Sequence, residues 1–147
     1  MSLEANVRMM ARTHPFDLLP HEALQLLVFS CTKKVLKAGE TLFVESEPAD
    51  AAYFVLSGAI NLMSHDARRR VEAGALIGET ALLTDLLRRS TARAADDTVT
   101  LRVPGDVFRR VLSEFPQSAA RIHAVASARA RDLVEQLEAV RERGFDV

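Results

Sequence analysis

The sequence predicts a mainly β chain with a short helix before the strands and longer helices after them. Three observations carry that prediction. Between Thr32 and Val103 the chain breaks into short runs separated by turn residues, one of these runs alternates strictly with period two, and beyond Pro104 the apolar spacing turns helical. Strands this short and this regularly spaced suit a sandwich or barrel rather than alternating β–α units.

The first element lies in PFDLLPHEALQLLVFS, residues 15–30. Leu24, Leu27 and Val28 follow a Pro20-His21-Glu22 opening, the spacing and start of a short amphipathic helix over about 20–30. Next come the runs VLKAG, TLFVES, AAYFVLSG, AINLMS, RRVEAG, STARAA and TVTLRVP, a β region over about 32–103. Turns are expected at Gly39, Pro48-Ala49-Asp50, Gly58, His65-Asp66 and Asp96-Asp97. In TVTLRVP, Val99, Leu101 and Val103 alternate with Thr98, Thr100 and Arg102, so the apolar set is expected inward and the polar set outward.

GDVFRRVLSEF then reads as a short helix, and Pro116 suits the first turn of a second one. The two helices are expected to fill about 105–143, with Gly144 as the stop. Along the second, Ala119, His123, Ala126, Ala130, Leu133, Leu137 and Val140 recur at steps of four and three, the seam of a coiled coil. Two readings of this seam stand side by side: a helix packed on its own sandwich, or a helix crossing its twin in a homodimer.

At 147 residues the chain suits one domain, 1–147, with its own core. The hydrophobic fraction of 48% and the charged fraction of 27% are those of a soluble globular chain, and no apolar run approaches the ~18 residues of a membrane span. MSLEANVRMMART lacks the apolar core of a secretory signal, and the lone Cys31 has no internal disulfide partner, so a cytoplasmic location is expected. A net charge of −1 gives no general grip on nucleic acid, and Arg68-Arg69-Arg70 reads as a solvated hairpin. Cys31 ends an apolar helix, where a buried small side chain is the simpler reading than a nucleophile.

LIGETALLTDLLRR, residues 76–89, carries the chemistry. Alternation in the strand expected to begin at Arg88 places Arg88, Ser90, Ala92 and Ala94 on one face and Arg89, Thr91 and Arg93 on the other. The first face is small and apolar after its arginine, so Arg88 points inward; the opposite frame would drag Arg89 and Arg93 into the core. An inward guanidinium needs a negative partner, either Glu79 or an anion such as phosphate. Gly78 lets backbone come close to a ligand, the turn after it presents N–H groups at a helix start, and Ser90 adds a hydroxyl. Glu79 accepts hydrogen bonds, which suits a sugar hydroxyl beside a phosphate.

These residues resemble the cyclic nucleotide-binding domain family. KAGETLFVESEPADAAYFVLSGAI resembles the family's opening strands, with Gly39 and Gly58 at its turn glycines. GALIGETALL, Arg88 and TARAADDTVTLRVPGDVF resemble its phosphate-binding cassette and the strands that follow. The resemblance implies a double-stranded β-helix, a jelly-roll sandwich of the cupin-like kind, with a short N-terminal and a long C-terminal helix. It also implies roles: Glu79 on the ribose 2′-hydroxyl, Arg88 on the cyclic phosphate, and backbone N–H groups around Thr80 and Ala81 completing the cradle. Gly78, Glu79, Thr80, Ala81, Arg88 and Ser90 are thus the candidate ligand-binding set, for cAMP or cGMP, with no other cofactor. Ser46 departs from a usual turn glycine, Ile77 from a frequent phenylalanine, Leu87 from a common proline and Arg89 from a small residue.

Other chemistries find little footing. No GxxxxGK[ST] or GxGxxG occurs, and the histidines at 14, 21, 65 and 123 lie in four separate segments without metal-site spacing. No enzyme is expected, and the few residues after Val140 leave no DNA-binding domain in this chain. The leading expectation is a regulatory sensor module in which a cyclic nucleotide enters the sandwich and the C-terminal helix moves to cover it. A second reading is a ligand-free scaffold in which Glu79 and Arg88 pair with each other, dimerising through Ala126, Ala130, Leu133, Leu137 and Val140. A third, an enzyme with a cupin-like metal site, ranks last.

Overall fold

The computed structural model describes residues 2–84 and 86–140, with side chains through 137. Helix α1 (Leu3–Met10) and a 3-10 turn (Phe16–Leu18) precede α2 (His21–Phe29). Ten strands follow: β1 (Thr32–Leu36), β2 (Thr41–Phe43), β3 (Pro48–Ala49), β4 (Ala51–Ser57), β5 (Ala59–Met63), β6 (Arg68–Glu72), β7 (Leu76–Ile77), β8 (Leu86–Leu87), β9 (Thr91–Ala94) and β10 (Thr98–Pro104). A 3-10 helix (Glu79–Leu82) sits between β7 and β8, and α3 (Gly105–Glu114) and α4 (Pro116–Val140) close the described chain. The helix end expected at 141–143 and the stop at Gly144 lie outside the described residues.

Two four-stranded antiparallel sheets, ordered β1-β10-β4-β7 and β2-β9-β5-β6, and a β3-β8 ribbon make the jelly roll. Strand β4 explains the layering. It is buried along six of its seven residues because both of its faces are covered. Ala52, Phe54 and Leu56 face the helical layer, with Leu24, Leu27, Phe16 and Phe108. Ala51, Tyr53 and Val55 face the sandwich interior, with Phe43, Ile60, Val71, Ile77 and Ala92. A continuous apolar run is what two-sided burial demands, and AAYFVL supplies it.

Four expectations need correction. Helix α1 went unforeseen, although Ser2 caps it through the Ala5 N–H (3.1 Å) and Val7 and Met10 seal it onto the core. Pro48-Ala49 is strand rather than turn, paired with Leu86-Leu87. Thr98 and Thr100 are buried rather than outward, because β10 is covered on both faces: Val99, Leu101 and Val103 pack toward the helical layer, and Thr98 and Thr100 lie on the opposite face beside Leu36 and Val55 of the sandwich interior. Both hydroxyls are satisfied: Thr100 donates to the Lys34 carbonyl (3.0 Å), and Thr98 accepts from the Ala59 N–H (3.2 Å). Finally, β9 begins at Thr91, not Arg88, and Arg88 lies in the connection from the β3-β8 ribbon.

That connection is clasped by a turn. Ser46 donates its N–H to the Arg88 carbonyl (2.9 Å), and the Arg88 N–H goes to the Glu47 carbonyl (2.8 Å). Ser46 holds φ 74°, left-handed for a residue with a Cβ. Ser46→Gly is therefore expected to stabilise the protein by roughly 0.5–1 kcal/mol, as a raised denaturant midpoint at constant slope. A lowered midpoint would show that the serine side chain compensates for its backbone.

Helix α4 is anchored near its start, where Ser118 and Ile122 are buried. The seam beyond is not packed on the sandwich core. His123, Ala126 and Ala130 are exposed, Leu133 and Leu137 are 58% and 61% exposed, and the Val140 side chain lies outside the described residues.

Candidate functional site

The site grows from the chain's reversals at Gly78 and at Arg88. Gly78 adopts φ 73°, ψ 32°, the left-handed conformation that glycine enters without strain, and turns β7 into the 3-10 helix. A Cβ there would stand 2.6 Å from Nη1 of Arg88. The glycine thus serves both the turn and the close approach of an arginine to the backbone.

Arg88 does point inward, with its side chain 4% exposed. Its guanidinium carbon stands 4.1 Å from the centre of the Phe43 ring and 5.8 Å from that of Tyr53. Nη2 is 4.0 Å from Oδ1 of Asp50, at the outer limit of an ion pair, while Nε and Nη1 are buried with no hydrogen-bond partner among the described residues. Burial pushes the Arg88 pKa below its usual value, opposed by Tyr53 and Asp50. An arginine keeps its charge even so, and the result is a desolvated cation with two donors unanswered. Aromatic faces offset part of the cost, but they accept no hydrogen bond of ordinary strength.

Arg88 faces a hollow of about 180 Å³ walled by Gly78, Glu79, Thr80 and Ser90 together with Phe43 and Leu62. Leu87 joins this wall from the ribbon without filling the hollow; Leu86 and Leu87 are 47% and 58% exposed. Ser90 is half-buried and Arg89 exposed, the sides expected of them, although neither lies in a strand. Ala81 is fully buried and its N–H is given to the Gly78 carbonyl (3.0 Å), so that cradle donor is engaged within the turn.

Glu79 is not the partner of Arg88. Its Oε2 lies 3.5 Å from Nη1 of Arg129 on α4, a half-exposed contact. The buried Glu79–Arg88 pair on which the scaffold reading leaned is absent among the described residues. Through Arg129 the cassette also touches α4, and a second hollow of about 480 Å³ opens there. It shares Glu79, Thr80 and Arg89 with the first, and α4 closes it with Ile122, Ala126, Arg129, Ala130 and Leu133. A further hollow of about 450 Å³, between Leu18 and Pro116, contains none of these groups.

Sequence reasoning missed Asp50, Phe43, Tyr53 and Arg129. Asp50 was read as part of a turn, yet it also accepts from Nη2 of Arg102 (3.2 Å) and so ties β10 to the Arg88 region. Phe43 and Tyr53 look like ordinary core aromatics; only their stacking under a guanidinium distinguishes them. Elsewhere the polar inventory is quiet. Burial raises the Cys31 thiol to about 12, which suits a structural cysteine, and no cluster of metal-binding side chains occurs among the described residues.

A jelly roll with a buried cation beside a left-handed glycine turn has the architecture of a regulatory domain. The chain is a member of the cyclic nucleotide-binding domain family, whose model matches residues 33–115. It is 30% identical over 125 residues to the lysophospholipase NTE1 of Chaetomium globosum, covering 81% of this chain and 8% of that protein. Among solved structures it resembles a cyclic nucleotide-binding-like protein from Brucella abortus, with 34% identity and a TM-score of 0.68 over 74% of this chain and 98% of that one. The sensor domain of the transcriptional regulator DNR from Pseudomonas aeruginosa shares the fold at 21% identity, with a TM-score of 0.77 over 90% of this chain and 93% of that one. The chain thus spans only about 8% of that lysophospholipase, and the match lies in a cyclic nucleotide-binding regulatory domain. No described helix is long and apolar enough to cross a membrane.

Proposed function

We propose that this domain is a sensor for a cyclic nucleoside monophosphate, cAMP or cGMP, and that its work is binding rather than catalysis. The single observation that carries the reading is the buried Arg88 guanidinium, whose Nε and Nη1 lack partners and which lines an open hollow. A phosphate placed in that hollow would neutralise the charge and accept from the N–H groups of the guanidinium, an anion match that arginine makes best. Gly78 gives the anion room, Glu79 takes the ribose hydroxyl, and Thr80, Ala81 and Ser90 line or support the cradle. Cyclic nucleotide is the anion favoured by membership of the family.

The output runs through α4. Arg129 links that helix to Glu79, so a ligand engaging Glu79 acts on the helix directly, and a preference for one helix position shifts the population toward it. The exposed Leu133 and Leu137 stripe would meet its twin in a homodimer in the cytoplasm. Calorimetric titration of the whole chain with cAMP and with cGMP tests the reading: saturable 1:1 binding of at least one is expected. Binding of neither, by a folded protein, would leave the ligand-free scaffold as the better account.

A further inference from the structure

The hollow against α4 carries chemistry that the phosphate anchor does not use, and it says which base the site accepts. Along α4 the residues facing it are Ile122, Ala126, Arg129, Ala130 and Leu133, and from the cassette side Arg89 joins them. Four of the five helix residues are apolar, so they offer a base a surface to lie on and no acceptor. The polar side chains of the helix wall and of the Arg89 rim are guanidiniums, which donate and never accept. Arg129 is held in place from below, with Nη1 on the carboxylate of Glu79 (3.5 Å), and a planar fork has further N–H groups beyond that edge.

We infer that the domain selects guanine over adenine, with Arg129 donating to the O6 and N7 edge of the base. The inference rests on the cyclic-nucleotide reading above. The two purines differ where it matters: guanine presents two acceptors, O6 and N7, on the edge where adenine presents one acceptor and the N6 amino donor. A donor-only group meets guanine with two hydrogen bonds and meets adenine with a donor against a donor. Thr80, Thr84 and His14, the other polar side chains in the same walls besides Glu79, accept and donate alike and so favour neither base. Glu79, which the cyclic-nucleotide reading sets on the sugar, lies 3.5 Å from Nη1 of Arg129 and so orients the guanidinium toward the base.

The experiment is calorimetry on the whole chain with cGMP, cAMP and cIMP, the last keeping O6 and N7 but lacking the guanine amino group. Wild-type protein is expected to bind cGMP about 5-fold to 150-fold more tightly than cAMP, with cIMP close to cGMP. In Arg129→Ala the ratio of the two affinities falls toward one, mainly through weaker cGMP binding, while Arg129→Lys retains part of the preference. Losing the Glu79 contact alone would shift both nucleotides together and leave the ratio unchanged, so the ratio isolates base reading from positioning. Tighter or equal binding of cAMP by wild-type protein, cIMP behaving like cAMP, or an unaltered ratio in Arg129→Ala would each overturn the inference while leaving a cyclic-nucleotide sensor intact. Binding of none of the three sinks both.

Discussion

Arg88→Ala is expected to weaken cyclic-nucleotide binding by about 2–5 kcal/mol, or about 30-fold to several thousand-fold, read by the same titration. The loss is large because the guanidinium is the one buried cation at the hollow among the described residues, and a ligand phosphate entering without it would be left with neutral donors and the exposed Arg89. The same burial sets an opposite expectation for the free protein. With Nε and Nη1 unanswered and Asp50 4.0 Å away, the empty site holds a charge whose desolvation is poorly compensated. Arg88→Met keeps an unbranched apolar stem beside Phe43 but removes the guanidinium and its charge, and it should raise the unfolding free energy in the absence of ligand by about 1–4 kcal/mol. Affinity and stability then move in opposite directions at one residue, which is the mark of a group held for a guest. A methionine variant that unfolds more readily than wild type would show that the guanidinium is well paired inside the empty protein, and the argument for a waiting anion site would fail with it.

The parts of this architecture legible in the sequence were those governed by short-range rules. Gly39 and Gly58 were placed as turns because only glycine enters the left-handed region freely, and both have φ near 90°. The inward setting of Arg88 followed from the small residues Ala92 and Ala94 on its face, which are buried as expected. That inference succeeded although the strand it assumed begins three residues later, because the Ser46 and Glu47 backbone holds Arg88 in the same sense that pairing would have done. What escaped was set by distant partners. Nothing near Asp50 in the chain signals that it stands between Arg88 and Arg102, and the pairing of Pro48-Ala49 with Leu86-Leu87 joins segments with most of the sandwich between them. The alternation of β10 held, but it does not say that the polar face is covered too: Thr98 and Thr100 face the sandwich interior, where Thr100 finds the Lys34 carbonyl on β1. Arg129 was invisible for a different reason: the seam drew attention to the apolar stripe of α4, whereas the residue that contacts the cassette is the charged one beside it.

Gly58→Ala is expected to be the most destabilising of the single-methyl changes at the turns, and Gly39→Ala supplies its control. The two glycines share nearly the same backbone, φ 89° and 90°, so the left-handed penalty of a Cβ is common to both. Their surroundings differ. A Cβ at Gly39 would meet nothing within 4 Å, whereas at Gly58 it would collide with the carbonyl oxygen of Asp97 and stand 2.5 Å from Oγ1 and 2.8 Å from Cα of Thr98. None of these can yield cheaply. Two are backbone, and the hydroxyl of Thr98 is already bound to Ala59, so moving it breaks the bond that ties β10 to the start of β5. Gly58 is also where the chain leaves one sheet as β4 and enters the other as β5, carrying Tyr53 on one side of the corner and Leu62 on the other, both within the neighbourhood of Arg88. Gly39→Ala should cost about 1 kcal/mol, and Gly58→Ala about 2–4 kcal/mol, the difference being the crowding alone. Denaturant unfolding of the two variants measures that difference directly. Equal losses would mean that the corner relaxes around a methyl group, and the tight junction of the two sheets at Thr98 would have to be given up as the reason a glycine stands there.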